Sequence, residues 1–243
     1  CRREENIPAT EVFILNETSG ECKWQQEATI PVFVPFCNPQ RMDNGNWIIG
    51  GSSHWSDAAV AISDGDNFLK WTKVIIPHPD NLTLVYPETS IVNRGKGELT
   101  AFCRPPQDKS GVSIELTAPT AESHDYGLTW TTLGLSNFPL APSQPFAGKL
   151  STGYNYLLTN NLEDKRCLLT IALTDSSGGL FRHIFKVRHQ QWPKIRLFEN
   201  SLGKPTELAY PTAIEHEGNL YIIYSQGKED CSLSIVPIEV LDV

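Results

Sequence analysis

No stretch of this sequence is apolar for long enough to cross a bilayer as a helix, so we expect no membrane span. Low-complexity runs, long charge blocks and a stripe of arginine and lysine are also absent, which argues against disorder and against nucleic acid as a partner. Acidic residues outnumber basic ones, 28 to 20, for a formal net charge of -8. This charge weakly repels an acidic ligand, so any anion site must be a local cluster of arginines.

The six cysteines lack the spacing of a metal site. They form no Cys-x-x-Cys pair and no combined His and Cys spacing typical of zinc, so we predict neither a metal nor a cofactor. Disulfides in an oxidising compartment and buried free thiols both stay open. The residues concerned are Cys1, Cys22, Cys37, Cys103, Cys167 and Cys231.

Cellular location is only weakly indicated. The glycosylation sequons at Asn16 and Asn81 favour a secreted, periplasmic or cell-surface protein. The sequence begins at Cys1 without an initiator methionine, which indicates a mature, processed or truncated form. A lipoprotein and a fragment of a longer chain both fit, and we favour the fragment.

No helical stripe competes with the strand signals, so we predict an all-β protein. Short segments rich in β-branched and aromatic residues alternate with turns supplied by 17 prolines and 17 glycines. The predicted strands are 11–15, 30–35, 47–50, 58–63, 99–103, 156–159, 168–173 and 220–224.

A polar turn with a glycine, followed by a short apolar strand, recurs around Gly45, Gly97, Gly153 and Gly218. The separations of 52, 56 and 65 residues suit a four-stranded propeller blade. The predicted blade repeats lie near 30–75, 85–135, 140–190 and 205–240. Four repeats and an orphan first segment favour an incomplete ring, so 1–243 is a single propeller domain or the C-terminal portion of one.

A second motif follows some of these repeats. Residues 123–130 read S-x-D-x-G-x-T-W, the Asp-box, in which an aspartate binds nearby backbone amides and a tryptophan packs between strands. Degenerate versions occur at 63–66 with Trp71 and at 174–178. We expect Asp125 to be a turn residue on the far side of its blade from any site.

Three further segments resemble the sialidase (neuraminidase) superfamily, whose members are six-bladed propellers with BNR or Asp-box repeats. Pro87-Glu88-Thr89-Ser90 followed by Ala101-Phe102-Cys103-Arg104 resembles the family's glutamate and arginine strand pair. Arg166-Cys167-Leu168-Leu169-Thr170 is similar to its R-x-x-L-T strand, and Ala209-Tyr210-Pro211 resembles its closing blade. The resemblance runs from about residue 34 to the end and implies a propeller whose N-terminal blades are missing from this chain.

The resemblance implies an exo-α-sialidase-like, retaining glycoside hydrolase. Tyr210 would be the nucleophile, Glu88 its supporting base, and Arg104 and Arg166 would bind the substrate carboxylate. A carboxylate nucleophile would be repelled by the sugar's own carboxylate, whereas tyrosine avoids this. Tyrosine needs a nearby base because its ordinary pKa is about 10. The expected partner is a sialylated glycan or another acidic sugar.

The family's first arginine and its acid/base aspartate find no match upstream of Glu88. Arg2-Arg3-Glu4 and Asp57 are the nearby candidates, but neither sits in a matching motif. A missing N-terminal segment, a second chain that completes the ring, and an inactive relative are the alternatives. Proline also follows Tyr210, where many sialidases have serine. If the register slips, Arg182 or Arg188 would replace Arg166.

Two other functions stay open. One is a carbohydrate-binding propeller without turnover. The other is a sialidase-fold hydrolase acting on a different acidic sugar such as a uronic acid, because arginine forks bind any sugar carboxylate.

Overall fold

The computed structural model describes residues 9–18, 21–106, 117–162, 165–174, 181–190, 207–227 and 230–243. These residues form antiparallel strands and one short 3₁₀ helix, Ile238–Leu241, which confirms the all-β prediction. No helix in the described part of the chain has the length and apolar character needed to cross a membrane.

The strands form one hairpin and four sheets. The hairpin comprises β1 (Ala9–Thr18) and β2 (Glu21–Pro31). Sheet I comprises β3 (Val34–Pro35), β4 (Gln40–Arg41), β5 (Trp47–Ser53), β6 (Asp57–Asp64) and β7 (Asn67–Ile75). Sheet II comprises β8 (Thr89–Gly95), β9 (Glu98–Cys103), β10 (Thr117–Ser123) and β11 (Gly134–Pro139).

Sheet III comprises β12 (Phe146–Lys149), β13 (Asn155–Leu162), β14 (Lys165–Thr174) and β15 (Phe181–His189). Sheet IV comprises β16 (Leu208–His216), β17 (Asn219–Gln226) and β18 (Asp230–Pro237). The first strands of sheets II, III and IV contact one another, β8 against β12 and β12 against β16.

The sheets stack face to face, as propeller blades do. One apolar cluster, with Ile171 and Ile222 fully buried, joins sheets III and IV. A second joins sheets I and II, a third joins II and III, and a fourth joins the hairpin to sheet I. Each sheet therefore buries apolar side chains against its neighbours, and the described residues form a four-bladed, propeller-like array.

The recurring glycines sit in turns that require positive φ. Gly97 has φ 82° and follows Lys96 at φ 55°, and Gly218 has φ 73° and follows Glu217 at φ 45°. Two successive positive φ angles match the two-residue turn that fits the twist of a β-hairpin.

The predicted strand at 30–35 is wrong as a single element. Strand β2 ends at Pro31, Val32 adopts φ 55°, and β3 begins at Val34. Phe33 is fully buried, and its carbonyl accepts a hydrogen bond from the Thr10 hydroxyl at 2.7 Å. The chain passes here from the hairpin to sheet I, a change of partner that a local run of β-branched residues cannot reveal.

The Asp-box is a turn between β10 and β11. Asp125 accepts hydrogen bonds from the Thr129 backbone N–H at 2.8 Å and from the Ser123 hydroxyl at 2.9 Å. Trp130 donates its indole N–H to the Gly127 carbonyl at 2.9 Å. Ser123 pairs with Leu99 at the start of β9, so this turn lies at the end of sheet II opposite the end where β9 finishes.

The degenerate box of sheet I behaves similarly. The indole N–H of Trp71 donates to the carbonyl three residues earlier, Phe68, at 2.8 Å, the same offset as in the full box. The degenerate box at 174–178 has only Thr174 among the described residues.

Candidate functional site

Sheets II, III and IV place four predicted site residues at one end of the array, away from the Asp-box turn. Glu88 directly precedes β8 and Arg104 directly follows β9, and the Arg104 backbone N–H donates to the Glu88 carbonyl at 3.3 Å. Arg166 is the second residue of β14, and Tyr210 is the third residue of β16.

Glu88 and Arg104 form a buried ion pair. Arg104 Nη1 lies 3.1 Å from Glu88 Oε2, and the two side chains are 11% and 8% exposed. Burial raises the pKa of Glu88 above its ordinary value, and the positive charges of Arg104 and Arg166 oppose that rise. A carboxyl group that is buried next to a cation and has a raised pKa is suited to exchanging a proton.

Arg166 connects this pair to Tyr210. Its Nη1 lies 3.2 Å from Glu207 Oε2, and its Nη2 donates to the Pro142 carbonyl. Its guanidinium carbon lies 5.8 Å from the centre of the Tyr210 ring, within the range of a cation–π contact. Since the charge of Arg166 also acts on Glu88, the four residues form one cluster.

Tyr210 has an unusual backbone. It has φ 55°, it lies in an irregularity of the β16–β17 pairing between Ala209 and Thr212, and its side chain is 40% exposed. Pro211 supplies no N–H to the ladder, which suits a bulge. A bulky residue at positive φ is strained, and such strain concentrates at functional sites. The bulge leaves the ring of Tyr210 accessible beside Arg166.

Two residues at the site were missed by the sequence analysis. Glu207 holds Arg166, and its only sequence signal is its position three residues before Tyr210. Asn160 is fully buried, and its amide Nδ2 donates to the carbonyls of Leu208 at 2.7 Å and Leu168 at 3.1 Å. It therefore ties the strand of Arg166 to the strand of Tyr210.

The alternative residues lie elsewhere. Arg182 and Arg188 are exposed on β15, the strand of sheet III farthest from β12. Asp57 begins β6, and its Oδ1 lies 3.7 Å from His78 Nε2. Arg2, Arg3 and Glu4 fall outside the described residues. Within the part of the chain that the structure describes, no group of His, Cys, Asp and Glu is arranged to hold a metal ion.

The cluster is suited to binding an anion. One guanidinium group pairs with the Glu88 carboxyl group and a second lies over the Tyr210 ring, and the protein as a whole is acidic. Each arginine is paired with a glutamate, Glu88 or Glu207, so an anion would bind through N–H donors that these ion pairs leave available. Arginine forks bind a planar carboxylate through paired N–H donors.

Solved structures share this fold. A leech intramolecular trans-sialidase aligns with a TM-score of 0.63 over 92% of this chain and 36% of its own, at 14% identity. A Hadza microbial sialidase aligns with a TM-score of 0.65 over 95% and 44%, at 12% identity. A Trypanosoma rangeli sialidase aligns with a TM-score of 0.57 over 99% and 42%, at 14% identity.

The chain thus spans about 36% to 44% of the length of these sialidases. At sequence identities of 12% to 14%, the structural similarity shows only that the fold is shared. No curated protein matches the chain by sequence. The sequence profile of the BNR repeat-like domain, in contrast, matches residues 24–222. That match covers most of the chain, from the hairpin to sheet IV. The chain shares its fold with the sialidases above, and it belongs to the BNR repeat-like domain family.

Proposed function

We propose that this chain forms the nucleophile side of an exo-α-sialidase-like, retaining glycoside hydrolase. The supporting observation is the single cluster in which Arg166 lies against the Tyr210 ring and within electrostatic reach of the Glu88–Arg104 pair. The substrate would be a glycan ending in sialic acid, and the role would be carbohydrate metabolism outside the cell or at its surface.

In the proposed reaction, Arg104 and Arg166 bind the sugar carboxylate. Glu88 takes the proton of the Tyr210 hydroxyl, and the phenolate oxygen forms a bond to the anomeric carbon while the glycosidic C–O bond breaks. The leaving oxygen takes a proton from a general acid supplied by another part of the enzyme. Water then attacks the anomeric carbon and gives a proton to the conjugate base of that general acid. The bond to Tyr210 breaks, and protonated Glu88 returns its proton to the Tyr210 oxygen, with net retention at the anomeric carbon.

The general acid and a third arginine would come from a further segment or a second chain that completes the ring. This proposal rests on two observations. The chain spans less than half of the sialidases it resembles in fold. Sheet IV also has one face that no other sheet in the described part of the chain covers, and Ile214 and Ile235 on that face are each more than half exposed.

A carbohydrate-binding propeller without turnover is the second candidate. It is favoured by the lack of a matched acid/base aspartate and by the proline that follows Tyr210. A hydrolase of another acidic sugar, such as a uronide, would use the same arginines because they recognise the carboxylate.

The test is to incubate the full-length enzyme, including the part that supplies the general acid, with 3′-sialyllactose and to follow the released sugar by NMR. We expect α-sialic acid as the first product, with turnover lost in Tyr210→Phe. Unchanged turnover in Tyr210→Phe would refute the tyrosyl mechanism. Calorimetric binding without product would select the binding propeller, and cleavage of uronides alone would select the other hydrolase.

A further inference from the structure

A second cavity lies among the inner strands of the sheets, and none of the four predicted site residues lines it. Its volume is about 300 Å³. Strands β4, β8, β12, β13 and β16 contribute to its lining, so all four sheets surround it. A cavity of this size is at the lower end of the range for small-molecule sites, roughly 300–1,000 Å³.

This cavity lies toward the Asp-box end of the array. Its lining residue Asn93 is the fifth residue of β8 and pairs with Leu99 of β9, which also pairs with Ser123 at the start of the Asp-box. Glu88 directly precedes the same strand, and five residue steps of an extended strand span roughly 16 Å. The cavity is therefore a different place from the Glu88–Arg104 pair.

Tyr156 brings a buried hydroxyl to the cavity. The residue is 4% exposed, and its hydroxyl forms no hydrogen bond with the described part of the chain. Tyr156 pairs with Gly148 across β12 and β13, and a Cβ at Gly148 would collide with the Tyr156 ring and hydroxyl. Both residues line the cavity, so the missing side chain of Gly148 gives the hydroxyl its place there. An unpaired buried hydroxyl costs free energy that a bound ligand would recover.

The Tyr156 hydroxyl stays in its donor form. Burial raises the pKa of Tyr156, and the negative charge of Glu215 raises it further. Glu215 does not line the cavity, and its two oxygens accept hydrogen bonds from the N–H of Ser151 at 2.8 Å and from its hydroxyl at 2.5 Å. Tyr156 is therefore suited to donate a hydrogen bond to an oxygen atom of a ligand.

The charged residues that line the cavity are basic. They are Arg41 and Lys149, and no described residue of the lining is acidic, although acidic residues outnumber basic ones in the whole chain. Arg41 Nη2 lies 3.2 Å from Asp66 Oδ2, which partly offsets its charge. Among the residues that the structure describes, no carboxylate forms an ion pair with Lys149. The lining thus carries a local positive charge in an acidic protein.

We propose that this cavity binds a small oxyanion, a short carboxylate or a phosphate, through Lys149 and Tyr156. A lysine ammonium and a tyrosine hydroxyl are donors that suit an oxyanion, and the charged donor makes the stronger hydrogen bond. The side-chain amide of Asn38, also in the lining, is a further donor. This inference does not depend on the proposed hydrolase function, because it uses none of the residues of the arginine site.

The test titrates the isotope-labelled full chain with sodium phosphate and with sodium lactate at constant ionic strength. Sodium chloride and glycerol are the controls for a simple anion and for a neutral polyol. NMR follows the backbone N–H of Gly148 and gives the Kd of each probe. The variants are Tyr156→Phe, which keeps the ring, and Lys149→Gln, with Lys70→Gln as the matched exposed lysine on sheet I.

We expect phosphate or lactate to bind with a Kd of roughly 1 mM and glycerol to give no response. Lys149→Gln should weaken binding roughly tenfold and Tyr156→Phe roughly fivefold, as loss of a charged and of a neutral hydrogen bond predicts. Lys70→Gln should bind like wild type. Because Tyr156→Phe removes a hydroxyl without a partner, it should also fold like wild type, which urea unfolding checks.

Four outcomes would overturn the proposal. They are no response to either oxyanion, an equal response to glycerol, unchanged binding in both Lys149→Gln and Tyr156→Phe, and an equal loss in Lys70→Gln. Arg104→Met separates this cavity from the arginine site. The Gly148 response should survive in that variant, and its disappearance would assign the oxyanion to the arginine site instead.

Discussion

Glu88 experiences two opposing effects. Burial favours the neutral carboxyl group, whereas Arg104 at 3.1 Å and the more distant Arg166 favour the carboxylate. Burial is the larger effect, so the pKa of Glu88 is raised. A raised pKa in the folded state favours folding at low pH, and that contribution is lost as the pH rises through the folded-state pKa. Near neutral pH, Glu88 therefore lowers the free energy of unfolding, but it provides a carboxyl group that can take up a proton.

A pH profile tests this at the level of single residues. If Glu88 must be ionised to accept the Tyr210 proton, the acidic limb of kcat/KM should lie above the pH typical of a free glutamate. Arg104→Met should move that limb to higher pH, because the cation lowers the Glu88 pKa. The measurement is kcat/KM for a sialoside between pH 4 and pH 8, roughly the range in which a raised glutamate titrates.

Glu88→Gln provides the control, since glutamine cannot titrate. Its residual rate should lack the acidic limb that wild type shows. An identical limb in Glu88→Gln would assign the titration to another group.

Among the strands, β13 organises the site although it contributes none of the predicted catalytic residues. Asn160 of β13 donates to Leu168 of β14 and Leu208 of β16, and its backbone carbonyl accepts the Ala141 N–H at 2.9 Å. Ala141 directly precedes Pro142, whose carbonyl holds Arg166. One buried residue therefore bonds to the strands of Tyr210 and Arg166 through its side-chain amide and to the loop that anchors Arg166 through its backbone carbonyl.

Asn160→Leu should remove both side-chain bonds without a large change in volume. We expect the free energy of unfolding to fall by about 1–3 kcal/mol, since buried carbonyls lose a donor. Ligand affinity at the arginine site should fall as well, because Arg166 and Tyr210 lose their shared anchor. Urea unfolding and sialic acid calorimetry measure the two effects.

Thr159→Val is the matched control. Thr159 is buried on the same strand, but its hydroxyl contacts only the Thr170 hydroxyl at 3.3 Å among the side-chain bonds described. The Thr159→Val variant should have a lower free energy of unfolding but the same affinity for sialic acid. Equal affinity losses in the two variants would show that Asn160 acts only through general stability.

The pKa of Asp125 in the Asp-box turn is shifted in the opposite direction from that of Glu88. Burial by itself would raise the pKa of Asp125, but hydrogen bonds from Thr129 and Ser123 together outweigh it, so the pKa lies below its usual value. A lowered pKa contributes stability above the unfolded pKa, and that contribution is lost as the pH falls through the folded pKa. Asp125→Ala should therefore destabilise the fold by about 1–2 kcal/mol at neutral pH, with a smaller difference near pH 3. Urea unfolding at both pH values is the measurement, and ligand affinity should be unchanged.

At the scale of the whole molecule, sheet IV differs from the other sheets. Its inner face packs on sheet III, but its other face carries Ile214, Ile223, Leu233 and Ile235, each at least 42% exposed. The strand register places Ile223 beside Leu233, and Ile214 and Ile235 flank Tyr221 in the next row. A contiguous apolar sheet face of this kind favours association.

We expect this face to mediate association of the protein with the segment or second chain proposed to complete the ring, and weak self-association at high concentration without it. Ile235→Lys should reduce that association while changing the stability of the isolated chain by less than about 0.5 kcal/mol, as is typical of an exposed position. The measurement is sedimentation equilibrium of the wild-type protein and the Ile235→Lys variant. Leu69→Lys, an exposed substitution on sheet I, is the control, and equal losses in both variants would refute a specific role for sheet IV.

Much of the fold could be predicted from local signals. Apolar strands such as 58–63 and 168–173, the turn glycines Gly97 and Gly218, and the Asp-box all depend on neighbours a few residues away. The break at Val32 was missed because it depends on which sheet the chain joins next. For the site, the family resemblance named Glu88, Arg104, Arg166 and Tyr210, whose catalytic roles stay predictions.

By itself, the sequence determined that the protein is all-β, that its strands recur in four repeats, and that Asp125 closes a turn. Only the tertiary structure decided that Arg166 lies between Glu207 and Tyr210, that Asn160 joins three parts of the site, and that Tyr86 packs on Trp55 beside Glu88. The physical reason is that strand and turn preferences act within a few residues, whereas these contacts form only when separate sheets stack and bury their apolar faces together.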